Sequence, residues 1–232
     1  GPSAFTACTS LATVDMPLLA SVSSAMFYLC SDLRNVSIPV VTAVEAGAFR
    51  GCFILNYIDM PLATEIGDNA FKSCSSLASV YLPLVISVGN YGFEGCVALT
   101  NVDLPLVTTV GGGVFQYCIL LVNVSMPVIR RVENSAFRLC RNLHSVSLPL
   151  VTSLGSSAFQ GTDLTTVNMS LAVSVGSYAF GSCVGLTSVD IPLVTTLAGL
   201  SFKDCTSLIH INMPLVTSLL DNTFKFCSSL TS

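Results

Sequence analysis

FEGCVALTNVDLPLVTTVGGGVF, residues 93–115, begins and ends on phenylalanine, and the 22-residue step from Phe93 to Phe115 governs the rest of the chain. Counting outward in both directions, phenylalanine returns at Phe5, Phe27, Phe49, Phe71, Phe137, Phe159, Phe180, Phe202 and Phe224. Only the step from Phe159 to Phe180 is shorter, at 21. Self-similarity at a fixed period of about 20 to 50 residues marks a stacked repeat architecture. A unit this short cannot bury its own apolar face, so neighbouring units must stack to complete a core.

Within the stretch, Val102-Asp103-Leu104 alternates apolar, polar, apolar. That pattern predicts a short half-buried strand with Val102 and Leu104 inward and Asp103 outward. Pro105 ends it, because proline offers no amide to a ladder. The same proline recurs at Pro17, Pro39, Pro61, Pro83, Pro127, Pro149, Pro192 and Pro214. A return segment follows, typified by Leu150-Val151-Thr152-Ser153-Leu154. Its alternation suits either a second extended stretch or an irregular convex arm. Glycine four residues before the phenylalanine (Gly67, Gly89, Gly111, Gly155, Gly176) is expected to serve a turn that needs positive φ. Phe-x-x-Cys-x-x-Leu reads as one helical or 3₁₀ turn that plugs the coil.

The full string Cys-x-x-Leu-x-x-Val-x-Leu-Pro-x-Val-Thr-x-Val-Gly-x-x-Ala-Phe resembles the BspA-like leucine-rich repeats, and the resemblance covers the whole chain. It implies a β-rich repeat solenoid, a leucine-rich-repeat arc with one short parallel strand on its concave face and one helical or 3₁₀ turn per rung. Residues 1–232 are expected to form a single solenoid of about ten full repeats with partial repeats at both ends. Both ends interrupt a repeat, so the sequence is expected to be a piece of a longer protein. The resemblance also implies a microbial surface or secreted protein that adheres to other molecules.

Composition narrows the function classes. Charged residues make up only 9% of the chain and apolar residues 52%. Thirteen acidic residues against nine basic ones argue against a nucleic-acid partner, which would demand a basic stripe. No apolar run approaches the 18 residues of a membrane span, so no membrane insertion is expected. The two histidines, His144 and His210, stand three repeats apart, which on a stack is about 14 Å. No triad order, nucleophile elbow, phosphate loop or metal-binding helix motif is present in the sequence. The chain is therefore read as a non-enzyme with no cofactor.

All ten cysteines share one column: Cys8, Cys30, Cys52, Cys74, Cys96, Cys118, Cys140, Cys183, Cys205 and Cys227, with Thr162 in the shortened repeat. Thr162 divides the column into seven and three, both odd, so pairing of neighbours could not use every thiol. In-register stacking also aims the Cβ vectors in parallel. A ladder of small buried thiols is the expectation, with disulfides between some rungs as the alternative.

Two surfaces hold the candidate ligand-binding residues. The outward strand positions carry Asp15, Asp59, Asp103 and Asp190, with Tyr57 and Tyr81 among serine, threonine and asparagine. Asp15, Asp59 and Asp103 lie two rungs apart, about 10 Å, too wide for one calcium ion. The second candidate is a basic spot of Arg130, Arg131, Arg138 and Arg141, close to Tyr117, Ile119 and Leu120. Arginine beside aromatic and aliphatic side chains has hot-spot composition. The threonine column Thr42, Thr64, Thr108, Thr152, Thr195 and Thr217 is broken by Ile86, Arg130 and Val173, which argues against an ice-binding face. The expected partner is an extracellular protein or glycan. End-to-end self-association of a structural stalk is the alternative.

Overall fold

Each rung of the stack contributes two short strands, and every pairing between rungs is parallel and in register. The computed structural model describes residues 1–231. Three-residue strands run from Thr13–Asp15 to His210–Asn212, and two-residue strands run from Ser21–Val22 to Ser218–Leu219. The return segment is therefore a second extended stretch, and the coil is a parallel β-solenoid with two sheet faces and a turn-rich arm. Strand alternation is as the sequence predicts: in Asn101–Asp103, Val102 is buried while Asn101 and Asp103 are exposed.

The arm departs from expectation. Among the described residues there is no helix; the arm is built of successive turns. Around Phe71, amides alternate between two kinds of partner. Ala70, Lys72 and Cys74 donate three residues back within the rung, to Gly67, Asn69 and Phe71. Asn69, Phe71 and Ser73 donate to the carbonyls of Asn90, Gly92 and Glu94 on the next rung. A helix would spend every amide inside the rung, whereas half of these are needed to tie rung to rung.

The cost of this arrangement is visible in φ. Asn69 and Ser73, two residues either side of Phe71, have φ of 56° and 63°. Among the described residues, the same two columns take in every residue with positive φ, from Ser3 and Ala7 to Asn222 and Phe226. Each occupies the third position of a tight turn, where a type II geometry requires positive φ. Only five of these positions are glycine: Gly47, Gly51, Gly95, Gly113 and Gly161.

Gly67, Gly89, Gly111, Gly155 and Gly176 are consequently not positive-φ turn residues, and their role is different. A Cβ on Gly111 would come within 2.3 Å of the Asn90 amide nitrogen, and one on Gly155 within 2.6 Å of the Asn134 nitrogen. They let the backbones of adjacent rungs approach closely.

The core is a set of columns. The eleven recurring phenylalanines stack with ring centroids 5.1–5.6 Å apart and planes within 15°. Phe27 to Phe202 are fully buried, with Leu99-type and Val102-type columns packed beside them. Burying each such side chain is worth about 1.5–3 kcal/mol, and an offset aromatic pair adds about 0.5–1.5 kcal/mol.

The sheets are segmented. The first sheet breaks between Asn35–Ser37 and Tyr57–Asp59, between Ser79–Tyr81 and Asn101–Asp103, and between Ser145–Ser147 and Thr166–Asn168. The last break falls at the short repeat. There the phenylalanine stack continues, with Phe159 and Phe180 5.6 Å apart. The second sheet also pairs through, Ser153 with Ser174. Thr162-Asp163-Leu164 stands where other rungs have Cys-x-x-Leu, so the missing residue falls between the arm and the first sheet. The second sheet has its own break, between Thr109–Val110 and Arg131–Val132.

Candidate binding faces

The outer face of the first sheet is built from the two outward columns, and neither contains lysine or arginine. Ile58 and Met60 are buried beneath the strand Tyr57–Asp59, which leaves Tyr57 and Asp59 no direction but outward. Register sets Tyr57 opposite Ser79 and Asp59 opposite Tyr81. The two tyrosines are 47% and 54% exposed, large fractions for aromatic rings on a rigid sheet. Further along, Asn123 Nδ2 donates to Asn101 Oδ1 at 3.1 Å, and Ser145 Oγ donates to Asn123 Oδ1 at 2.8 Å. Asn212 Nδ2 donates to Asp190 Oδ1 at 2.7 Å. These bonds hold short side chains in fixed positions across rungs.

Hollows lie at two of the breaks in this sheet. One, of about 280 Å³, lies beside Tyr57 and is lined by Thr13, Asp15, Asn35, Ser37 and Asn56. Another, of about 300 Å³, is lined by Ser147, Pro149, Asn168 and Ser170 at the short repeat. Asp15 and Tyr57 therefore share one hollow, while Asp103 and Asp190 lie further along the face.

A longer groove, of about 540 Å³, runs over the second sheet past Glu45, Glu65, Asp68, Ser87, Asn90 and Thr109. Sequence reasoning did not single it out. Much of its polarity is already used. Glu45 Oε2 accepts from Ser24 N and Oγ at 2.9 and 3.0 Å, and Asp68 Oδ1 accepts from Asn90 N at 2.6 Å. Asn90 Oδ1 accepts from Gly112 N at 2.9 Å, and Asn134 Oδ1 from Ser156 N at 2.7 Å. The signal was the run of Asp68, Asn90 and Asn134 three residues before the phenylalanine, the side chains that sew one rung to the next. The threonine column is spent similarly: Thr64 Oγ1 donates to Thr42 O at 3.2 Å, and Thr152 Oγ1 to Arg130 O at 3.0 Å.

The four arginines do not form one spot. Arg130 and Arg131 lie on the second sheet at its break, lining a cleft of about 130 Å³ with Thr108, Val110 and Glu133. Arg131 Nε is 3.1 Å from Glu133 Oε1. Arg138 sits on the arm, where it donates to Gln160 Oε1 at 3.0 Å and to Tyr117 OH at 3.1 Å. The bond from Arg138, a hydrogen bond from Gln116 and the guanidinium charge lower the Tyr117 pKa from its usual value. Arg141 is exposed on the same arm, and Ile119 and Leu120 are exposed as expected. Similar cation–aromatic contacts join Arg50 to Tyr28 and Lys72 to Tyr91 across adjacent rungs, at 5.6 and 5.1 Å. His144 Nδ1 is 3.1 Å from Asp163 Oδ2, a contact that spans the short repeat.

The cysteines are free, and Cys30 to Cys205 are buried. Each thiol from Cys30 onward donates to a phenylalanine carbonyl of the preceding rung, as Cys52 Sγ does to Phe27 O at 3.2 Å. Burial raises the thiol of Cys52 to about 12 and that of Cys183 to about 11, so these groups stay protonated and unreactive. Thr162 fills the vacant slot by donating to Phe159 O at 2.9 Å, with Cys183 Sγ 3.3 Å away. Among the described residues no group of three or more His, Cys, Asp or Glu is placed to hold a metal ion.

Stacked phenylalanines, paired parallel strands and a thiol column define a β-solenoid of leucine-rich-repeat type. The family described as BspA type leucine rich repeat region matches in six copies, over residues 1–122, 64–174 and 152–232. The chain belongs to that family. No curated protein matches it. Among solved structures, a leucine rich cell surface protein from Faecalibacterium prausnitzii is similar over 100% of this chain and 74% of its own, with 27% identity and a TM-score of 0.61. A leucine-rich repeat protein from Bacteroides ovatus covers 95% of this chain and 74% of its own, at 21% identity and TM-score 0.67, which supports the fold. The T. pallidum leucine rich repeat protein is 31% identical over 64% of this chain and 74% of its own, with a TM-score of 0.60.

Proposed function

We propose that this chain is a non-catalytic binding module of a microbial cell-surface or secreted protein, and that a protein or glycan ligand docks on the outer face of the first sheet. The observation that carries the reading is the exposure of Tyr57 and Tyr81 on a sheet whose inward residues are otherwise committed to the core. Aromatic rings held half exposed on a rigid scaffold give much contact area at low entropic cost. The family match and the likeness to a cell surface protein support the location. The Tyr117–Arg138 cluster on the arm is the second candidate contact.

The test is to immobilise the chain and challenge it with purified extracellular-matrix proteins, serum proteins and a glycan array. Saturable retention from at least one set is expected. Silence across all three sinks the reading.

A further inference from the structure

Resting on that reading, we propose that the ligand of the first sheet is a neutral oligosaccharide, lying obliquely across the strands with sugar rings against Tyr57 and Tyr81 and one residue in the hollow beside Tyr57.

The chemistry of the face favours sugar over the alternatives. Both outward columns hold only Asp, Asn, Ser, Thr, Tyr and one His. A protein interface core is depleted of Asp and Ser and enriched in aromatic, Met and Arg side chains, and of the enriched types these two columns hold only tyrosine. Asp15, Asp59 and Asp103 stand exposed with no lysine or arginine in either column, and exposed Arg34 beside Asn35 offsets only part of that charge, so the face disfavours an anionic polymer. A neutral sugar asks for something else: hydroxyls that donate to fixed carboxylates, and apolar C–H faces that lie on aromatic rings. Asp59 stands in register with Tyr81, which sets an acceptor next to a ring. Asn101 and Asn123, held by bonds to each other, to Thr100 and to Ser145, continue the polar row.

Geometry sets the scale. Tyr57 and Tyr81 occupy adjacent strands and are offset by two residues along them, so their Cα atoms stand about 8 Å apart. That is a reach for adjoining sugar residues rather than for a single ring. The hollow of about 280 Å³ lies on the other side of Tyr57, with Thr13, Asp15, Asn35 and Ser37 as hydrogen-bonding walls. Its size falls just below that of whole ligand pockets, about 300–1,000 Å³, and suits one sugar residue.

The experiment is isothermal titration of the chain with cellohexaose, maltohexaose, mannohexaose and xylohexaose, followed by the same titration of Tyr57→Ala, Tyr81→Ala, Tyr57→Phe and, as a control on the arm, Tyr91→Ala. The expected result is saturable binding of at least one hexaose, weakened tenfold or more by either alanine on the sheet, largely restored by Tyr57→Phe and untouched by Tyr91→Ala. No binding of any hexaose at millimolar concentration overturns the proposal, as does binding indifferent to Tyr57 and Tyr81. Retention of a matrix or serum protein that is lost in Tyr57→Ala, without sugar binding, overturns the glycan assignment and leaves the binding-module reading intact. Preference for an oligolysine peptide over every hexaose also overturns it, by giving the face to its carboxylates.

Discussion

The Sγ of Cys74 lies 3.1 Å from the carbonyl oxygen of Phe49, one rung back, and donates its proton there. The bond satisfies a carbonyl that also accepts the amide of Cys52. Cysteine is thus both a small apolar filler and a weak donor at a fixed position. The column is therefore expected to be chemically silent in the folded protein. Titration with a thiol reagent should label Cys8 quickly and Cys227 more slowly, since these two are the ones with appreciable exposure. Denaturant without reductant should release all ten thiols. Fast native labelling of more than two would contradict the burial described above.

Alkaline pH should unfold the stack. The folded-state pKa of Cys52 is raised to about 12 and that of Cys183 to about 11, and burial raises those of Cys74, Cys96, Cys118 and Cys140 as well. The unfolded chain would ionise these thiols near their ordinary values, about 8.5. The folded state then binds more protons, so stability is fully present below about pH 8.5 and falls as pH rises toward the folded values. Each thiol contributes a slope of about 1.4 kcal/mol per pH unit. Urea midpoints followed by circular dichroism at pH 7, 8, 9 and 10 should be flat at first and then drop steeply. A flat profile through pH 10 would rule out the column as the source of alkaline sensitivity.

The two glycine classes should respond in opposite ways. Gly111→Ala places a methyl where the Asn90 backbone stands, 2.3 Å away, and should destabilise by more than about 2 kcal/mol unless the rungs part. Ser135→Gly, at φ of 57°, relieves a left-handed residue and should be neutral or stabilising by up to about 1 kcal/mol. Paired urea titrations decide it: equal effects would mean that close approach and positive φ have been assigned to the wrong columns.

Phe115→Ala should cost about 3–5 kcal/mol, because it removes a fully buried ring that stacks on Phe93 and Phe137. In a linear array the damage is local, so the two flanks should melt with separate midpoints. A single cooperative transition, shifted only slightly, would argue that the ring column is not the spine of the fold.

Much of this was written in one rung. The phenylalanine period, the Val-x-Leu strand, its closing proline and the buried cysteine column follow from local pattern and stacking alone. The arm did not. Phe-x-x-Cys-x-x-Leu carries the three-residue spacing of a helical turn, but alternate amides around the phenylalanine are claimed by the next rung, which no window on one repeat displays. Gly111 misled for the same reason: glycine is needed for turns and for close approach, and only the position of Asn90 tells which. On the faces, Tyr57, Tyr81 and the aspartates stand outward as alternation requires. The arginines looked clustered because Arg130 and Arg138 are eight residues apart in sequence, yet a corner of the coil lies between them.

The alternation of amides along the arm has a consequence for how the chain reaches its structure. Bonds between rungs join residues about 22 positions apart, whether near Phe27 or near Phe180. The sequence distance that folding must close is therefore set by the rung and not by the length of the array. Any rung that forms presents its neighbour with a template already aimed along the stack. Such a chain can be lengthened by whole rungs without becoming slower or harder to fold, and each addition brings one more outward pair of positions on which a ligand's shape can be recorded.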